Sequence, residues 1–582
     1  MFKRLPLFSL ALCFFTFPLF AQMQRAIVEE DYIIRVEMTD LPDVVTVRGT
    51  EIAQLPGYPK GFPAHPNFKN FRNVTLADLT GDGVEEILLA TNRTLYVFAN
   101  ATLLWSKPLL GAAIYPPSVA DMDGDGLPEI VQLTGGVNEQ GRLYVIDRNG
   151  QDLPNFPRSF NDRWLLSAPA LADMNGDGRL EIIACERLPP AGRIQVITLA
   201  GQSLPNFPVT LDRTPAVTPS VGDVDGDGSM DIVVASTETF YIIGQNGQIK
   251  AQRSNPEGQR YSYQSPILVD LDNRGTLDIV GATHGNLPQF YVLDANAQFR
   301  PGWPIPVPDN NWTYSTPSVI RSEEAYMIMM SRPIGETTND MLFAWDKDGQ
   351  SRAGFPIVET GGQEGIISVA DVNDDHHMDV LFGSNLLGTD GRGFIHAHQA
   401  DGGGPIEGFP LRPRGWTLLN GANIGDVNGD GQMDLVVLSY TLNFGAAQDS
   451  VYLNVYTLPT PYTPDRVWWR TYKGDNTRSG LLTTPATTPN RSRAPLVEPI
   501  NMWLQQNPVT DYASIQLNLT QGYTLALILY DNLGRPLRRV FQGQLEAGQH
   551  QIELAMTDLP AGIYRLQVLG HRSVATLSIV KM

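Results

Sequence analysis

One nine-residue pattern recurs along this chain and constrains its fold more than any other feature. It reads Asp78-Leu-Thr-Gly-Asp-Gly-Val-Glu-Glu86, Asp121-Met-Asp-Gly-Asp-Gly-Leu-Pro-Glu129 and Asp173-Met-Asn-Gly-Asp-Gly-Arg-Leu-Glu181. It continues as Asp223-Val-Asp-Gly-Asp-Gly-Ser-Met-Asp231 and Asp270-Leu-Asp-Asn-Arg-Gly-Thr-Leu-Asp278. The last two copies are Asp371-Val-Asn-Asp-Asp-His-His-Met-Asp379 and Asp426-Val-Asn-Gly-Asp-Gly-Gln-Met-Asp434. Successive copies start about 50 residues apart, with one gap of about two periods after Asp270. A unit near Ser318 therefore lacks the pattern. A second marker has the same period: aromatic-proline or related turns at Pro59, Pro108, Pro157, Pro208, Pro256, Pro304, Pro356 and Pro410. Pro304 belongs to the unit without the acidic pattern.

Every unit reads alike. A short strand enters the loop, a Val/Ile/Leu strand leaves it (Asp231-Ile-Val-Val-Ala), and two more strands follow before the proline turn. Four short strands in ~50 residues is one blade of a propeller. The expected fold class is all-β: a seven- or eight-bladed β-propeller followed by a small β-sandwich. Eight loop positions imply eight blades. The piece from Val44 to Pro59 reads as the third and fourth strands of a unit, which closes the ring or sets the count at seven. The expected domains are a signal peptide at 1–21, the propeller at 22–480, a Thr/Pro linker at 481–498 and the sandwich at 499–582.

The loops have the donor chemistry of Ca2+, a hard cation that takes six to eight oxygens. Positions 1, 3, 5 and 9 offer side-chain oxygens, and a glycine at position 6 allows the sharp turn. The expected ligand sets are Asp78, Thr80, Asp82 and Glu86; Asp121, Asp123, Asp125 and Glu129; and Asp173, Asn175, Asp177 and Glu181. Further sets are Asp223, Asp225, Asp227 and Asp231; Asp371, Asn373, Asp375 and Asp379; and Asp426, Asn428, Asp430 and Asp434. Thr80 is a weak ligand, and His376 stands where glycine is expected. The 270 copy carries Arg274 at position 5, so salt bridges to Asp270, Asp272 and Asp278 are expected there in place of metal. Repetition carries this reading, since a lone copy would be an ordinary Asx-rich turn. These segments resemble the FG-GAP/VCBS repeats of integrin-α-like calcium-binding propellers, over roughly residues 40–480.

The termini concern export. Met1-Phe2-Lys3-Arg4, an apolar run from Leu5 to Phe20 and Ala21 read as a signal peptide cut after Ala21. That run is shorter than the ~20 residues of a membrane-spanning helix, and no later stretch is apolar enough to cross a membrane. Cys13 leaves with the signal, Cys185 remains alone, and no intrachain disulfide is possible. Bound metal is then the expected substitute for disulfide stabilisation. At the other end, the segments Ile515-Gln-Leu-Asn-Leu and Leu525-Ala-Leu-Ile-Leu-Tyr530 alternate, within about seven strands expected of a sandwich. Asn507-Pro508, Tyr530-Asp531, Gly534-Arg535, Gly562 with Tyr564, and Ile579-Val-Lys581 resemble the type A sorting domain of type IX secretion. That resemblance implies the type IX secretion machinery as a partner and a secreted or outer-membrane surface location in a Bacteroidetes-type bacterium.

A net charge of −20 argues against binding nucleic acid or an anionic membrane surface. The sequence carries no nucleophile elbow, zinc-protease helix or phosphate-cradling loop. His396 and His398 are spaced for one face of a strand, but no third metal ligand is evident. Tyr261, Tyr263, Trp312, Tyr314 and Trp416 fall in connections between units, where packing between blades is the favoured role. The expected function is a secreted or cell-surface binding or adhesion protein for a glycan or protein ligand. The alternative is a calcium-dependent polysaccharide lyase, which would need a base and clustered cations on one face.

Overall fold

The computed structural model describes residues 22–482 and 501–582, apart from 29–33, 43–46, 67–68, 137–138, 161–163, 166, 189, 216, 262–263, 309–314, 322–324, 333–339, 359–361, 403, 443–448, 520–521, 531–535 and 571–573. The expected signal peptide, most of the expected Thr/Pro linker, Tyr263, Trp312, Tyr314 and the Asp531–Arg535 part of the sorting motif lie outside the described residues. The chain forms two compact units, Met1–Pro489 and Asn490–Met582.

The first unit is a ring of sheets. Its first sheet has four antiparallel strands in chain order, Thr75–Ala77, Glu86–Thr91, Thr94–Ala99 and Thr102–Pro108. The same succession repeats over 118–160, 170–211, 220–254, 267–306 and 318–358. A seventh sheet covers 368–399 and an eighth 422–461, giving eight among the described residues. Second strands such as Glu86–Thr91, Asp231–Ala235 and Asp379–Gly383 are buried along their whole length. Each sheet is covered on both faces by its neighbours, which removes the usual in-and-out alternation. Outer strands such as Ile249–Ser254 mix exposed and half-buried residues. Six of the proline markers, at 59, 157, 208, 304, 356 and 410, follow cis peptide bonds.

Closure of the ring differs from the sequence reading. The eighth sheet already contains its own third strand, Ser450–Pro461, hidden by the Thr/Pro text at its end. Its outer strand is Lys60–Pro63, which runs antiparallel with Lys60 opposite Leu453. The described part of the Val44–Pro59 piece forms no strand; it makes an isolated bridge, Gln54 to Tyr456, and backbone bonds from Arg48 to Phe409 and from Leu55 to Val455. To the eighth sheet the N-terminal segment therefore supplies one strand rather than two, while Gln22–Val28 and Ile34–Pro42 form a separate sheet with Leu386–Leu387.

Two devices bind the sheets together. Three residues ahead of the loop, or its equivalent, an inner-strand hydroxyl donates to a carbonyl of the following sheet. The pairs are Thr75 to Pro117 (2.6 Å), Ser118 to Pro169 (2.6 Å), Ser220 to Pro266 (2.6 Å), Ser318 to Ile367 (2.7 Å) and Ser368 to Ala422. Asn423 completes the circuit with its amide on the Val74 carbonyl, 3.1 Å away. The second device is the segment 466–480, the axial segment, which winds along the inner strands. The Arg466, Arg470, Asn476, Thr477, Ser479 and Gly480 carbonyls accept from the N–H groups of Asp371, Ile424, Val119, Leu171, Val221 and Leu268, at 2.7–3.1 Å. These inner strands have no further sheet neighbour, so the segment satisfies donors that would otherwise be orphaned.

The second unit has two sheets sharing one core. One holds Asn501–Leu504, Tyr512–Leu519 and Gly548–Ala555; the other holds Pro536–Leu545, Tyr523–Tyr530, Gly562–Gly570 and Val574–Lys581. Ile515, Leu517, Leu527, Leu529, Leu566 and Val568 fill the space between them. The motif residues fasten the edges. The Asn507 amide donates to the Ser578 carbonyl (3.0 Å) and accepts from the Val580 N–H (2.8 Å), while the Tyr564 hydroxyl donates to the Pro560 carbonyl (2.7 Å).

Candidate metal centres in the acidic loops

All seven acidic copies join a first strand to a second strand, at one end of their sheets. Their local geometry follows from the sequence. In the 78, 121, 173, 223 and 426 copies the carboxylate at position 1 accepts the backbone N–H groups of positions 4 and 6, such as Gly81 and Gly83 on Asp78 at 2.6 and 2.8 Å and Gly176 and Gly178 on Asp173 at 2.8 and 2.9 Å; in the 270 and 371 copies it accepts those of positions 5 and 6. Both glycines take positive φ, for instance 77° and 85° at Gly176 and Gly178. In the 371 copy Asp374 and His376 are held at 62° and 68° instead. A left-handed residue other than glycine costs roughly 1–2 kcal/mol, so this loop is the most strained of the set.

The acid at position 9 begins the buried second strand. One of its oxygens accepts the N–H of position 2 in every copy. Examples are Leu79 on Glu86 at 2.7 Å, Met122 on Glu129 at 2.9 Å and Val427 on Asp434 at 2.9 Å. The other oxygen faces the loop. In the 371 copy this atom, Asp379 Oδ1, is buried without a hydrogen-bond partner among the described residues. Burial, reinforced by the neighbouring carboxylates, pushes Glu129, Glu181 and Asp379 up to about 7 and Asp434 up to about 6. Carboxylates ~4 Å apart repel by about 4 kcal/mol at an effective dielectric constant of 20. The groups must take up protons or a cation. Oxygens of Asp121, Asp123 and Glu129 lie within 4.8 Å of one another, as do those of Asp223, Asp225 and Asp231. The donor set, the spacing and the orphaned oxygen fit a hard divalent cation.

The copies divide by what neutralises them. In the 223 copy Lys250, from the outer strand of the same sheet, reaches Asp225 (2.9 Å), Asp227 (2.8 Å) and Asp231 (2.9 Å). In the 270 copy Arg274 meets Asp278 at 3.1 Å, joined by Arg300 on Asp278 (2.5 Å) and Asp272 (2.8 Å) and by Lys347 on Asp272 (3.0 Å). In the 371 copy Arg466 from the axial segment holds Asp371 at 2.5 Å and also pairs with Asp374. Among the described residues, no lysine or arginine forms an ion pair with the four ligand positions of the 78, 173 or 426 copies. Asn175 and Asn428 donate their amides to Asp177 (3.1 Å) and Asp430 (3.0 Å) there. Sequence reasoning found Arg274, which lies inside its loop. It missed Lys250, Arg300, Lys347 and Arg466, which arrive from a strand, two turns and a short 3-10 helix distant in sequence and carry no local signal.

Other candidates resolve into packing. Tyr261 and Trp416 are buried in cores between sheets. His396 and His398 lie along Phe382, with ring centroids 5.5 and 5.8 Å away.

Family models match the chain in two places. An FG-GAP-like repeat matches residues 121–184 and 223–281, and a secretion system C-terminal sorting domain matches residues 507–582. The chain is thus a type IX-exported protein with FG-GAP repeats, destined for secretion or the outer-membrane surface. No helix among the described residues is long and apolar enough to cross a membrane. No curated protein matches the sequence. Solved structures similar to it include the V. cholerae biofilm matrix protein Bap1, at 14% identity and TM-score 0.35, covering 73% of this chain and 94% of that one. A Bacillus licheniformis rhamnogalacturonan lyase PL11 is similar at 14% identity and TM-score 0.36, covering 73% and 77%.

Proposed function

We propose that the exported protein is a calcium-stiffened β-propeller that binds a glycan or protein ligand outside the cell. The observation that carries the calcium reading is the buried acid at position 9, repeated in seven loops and short of countercharge in several. Calcium would supply the missing positive charge and tie positions 1, 3, 5 and 9 into one rigid turn. The chain's own residues do the rest. Backbone N–H groups preform each loop on the position 1 carboxylate, and the second strand fixes the position 9 acid. The 78, 121, 173 and 426 copies are the primary sites in this reading. In the 223 and 371 copies calcium has to displace Lys250 or Arg466. The binding reading is supported by export together with a ring whose loops are held at one end, leaving the opposite turns to meet a ligand.

Calorimetric titration of calcium into metal-free mature protein tests the first half, with four or more sites expected. Glycan and protein arrays probed in calcium test the second half. Absence of calcium uptake removes the metal role, and absence of any array ligand removes the binding role.

A further inference from the structure

A cavity of about 740 Å³ opens between the seventh and eighth sheets. Its walls come from the turn after a second strand (Arg392), the connection between the two sheets (Arg412 and Arg414) and the turn at Thr441. Strand direction places such turns at the end opposite the acidic loops. Its size lies within the ~300–1,000 Å³ of small-ligand sites.

The charge of this cavity runs against that of the chain, which is −20 overall. Arg392 and Arg414 are β-bridged to each other. Residues directly opposite in an antiparallel bridge project to the same side, and like charges there destabilise the pair. Arg412, two residues from Arg414, is already satisfied, since it binds Asp390 at 2.8 Å and lies over the Phe394 ring. Among the described residues, the ion pairing of Arg392 is a loose approach to the exposed Glu51, at 3.8 Å. Arg414 lies over the Tyr452 ring, 4.7 Å from its centroid, and no carboxylate among the described residues pairs with it. The backbone holds this arrangement firmly: Gly415 N–H donates to the Gly391 carbonyl (2.9 Å) and Trp416 N–H to the Tyr440 carbonyl (2.8 Å). The backbone thus holds Arg392 and Arg414 opposite each other in the wall of the cavity, and each side chain ends in a planar fork of donors.

Beside them, Gln54 and Thr441 supply amide and hydroxyl groups to the cavity, while the Trp416 and Tyr456 rings behind its wall are buried in the core. The Gln54 amide is positioned by the Tyr456 hydroxyl and Asn454, each at 2.9 Å. Burial pushes the Tyr456 hydroxyl up to about 12, which suits a fixed hydrogen-bonding group better than a proton-abstracting base.

We propose that this cavity binds a carboxylated sugar, with Arg392 and Arg414 binding the carboxylate and Gln54 and Thr441 facing the sugar hydroxyls. The inference rests on the binding-protein reading above and gives it a site and a ligand class.

The test is calorimetric titration of the full mature chain with trigalacturonate, a neutral trigalactoside and a sulfated counterpart. The titrations are repeated on R392Q/R414Q and on R148Q, which removes an exposed arginine elsewhere. Trigalacturonate is expected to bind best, more weakly as salt rises, with about a tenfold or greater loss in the double variant and none in R148Q. Equal binding of the neutral sugar, preference for the sulfated one, or undiminished binding by a folded double variant overturns the site. Array ligands that the double variant still binds leave the binding-protein reading standing without this cavity. A silent array together with a silent titration removes both. Cleavage of the bound sugar keeps the cavity and replaces binding by catalysis.

Discussion

Asp231 and Lys250 show how one residue changes what a loop requires. Asp231 starts a buried strand and would be uncompensated, yet Lys250 reaches it and two of its partners. Replacing Lys250 by Ala should leave the 223 loop short of charge, lower stability in chelator and enlarge the calcium-induced rise in melting temperature. An unchanged calcium response would mean that the lysine and the ion do not share this loop. The position 9 acids give a second expectation. Glu129, Glu181 and Asp379 stand at about 7 in the metal-free fold, against an ordinary value near 4. Between those values the fold holds protons that the unfolded chain has released. Metal-free stability therefore falls as pH rises from about 5 to 7.5. Calcium keeps the same groups ionised in the fold and should flatten that fall. Melting curves taken across this range with calcium and with chelator check it, and parallel curves would contradict it. Donor spacing was legible in the sequence at this scale because all four ligands sit within nine residues. The countercharges were not, because Lys250, Arg300 and Arg466 come from segments that only the fold brings near.

At the scale of elements, the inner strands are short, three residues in most sheets, and rely on partners outside their own ladder. The hydroxyl three residues before the loop is one such partner. Ser118→Ala or Ser318→Ala should each cost about 1 kcal/mol, the typical worth of a hydrogen bond, read as a shift in denaturant midpoint. The axial segment is the other. Arg478 is fully buried in it and donates to Thr471 Oγ1 (2.9 Å), the Tyr472 carbonyl (2.6 Å) and Thr75 Oγ1 (2.9 Å). Arg478→Ala leaves several buried acceptors unpaired and should cost about 3 kcal/mol or more, with Arg478→Lys only a partial rescue. A loss below about 1 kcal/mol would show that the segment merely lies against the ring. Blade strands were readable from Val/Ile/Leu runs between turn residues. The axial segment was not, because its backbone carbonyls do the binding and its side chains follow no repeat.

For the whole molecule, closure is the organising constraint. Lys60–Pro63 joins the last sheet, Asn423 reaches back to Val74, and the axial segment touches most of the sheets in turn. The period of about 50 residues foretold the ring. The join was misread by one strand, since the last unit's third strand ends in Thr-Leu-Pro-Thr-Pro and resembles a linker. A ring of this kind, with its one described cysteine, Cys185, free and its loops rich in acids, makes bound calcium the account's central claim. The direct measurement is thermal melting of the mature protein in excess calcium and in excess chelator at neutral pH. The account predicts a large fall in melting temperature on chelation, reversed by restoring calcium. Identical melting in both conditions would contradict it and leave the acidic loops as turns held by their own backbone hydrogen bonds.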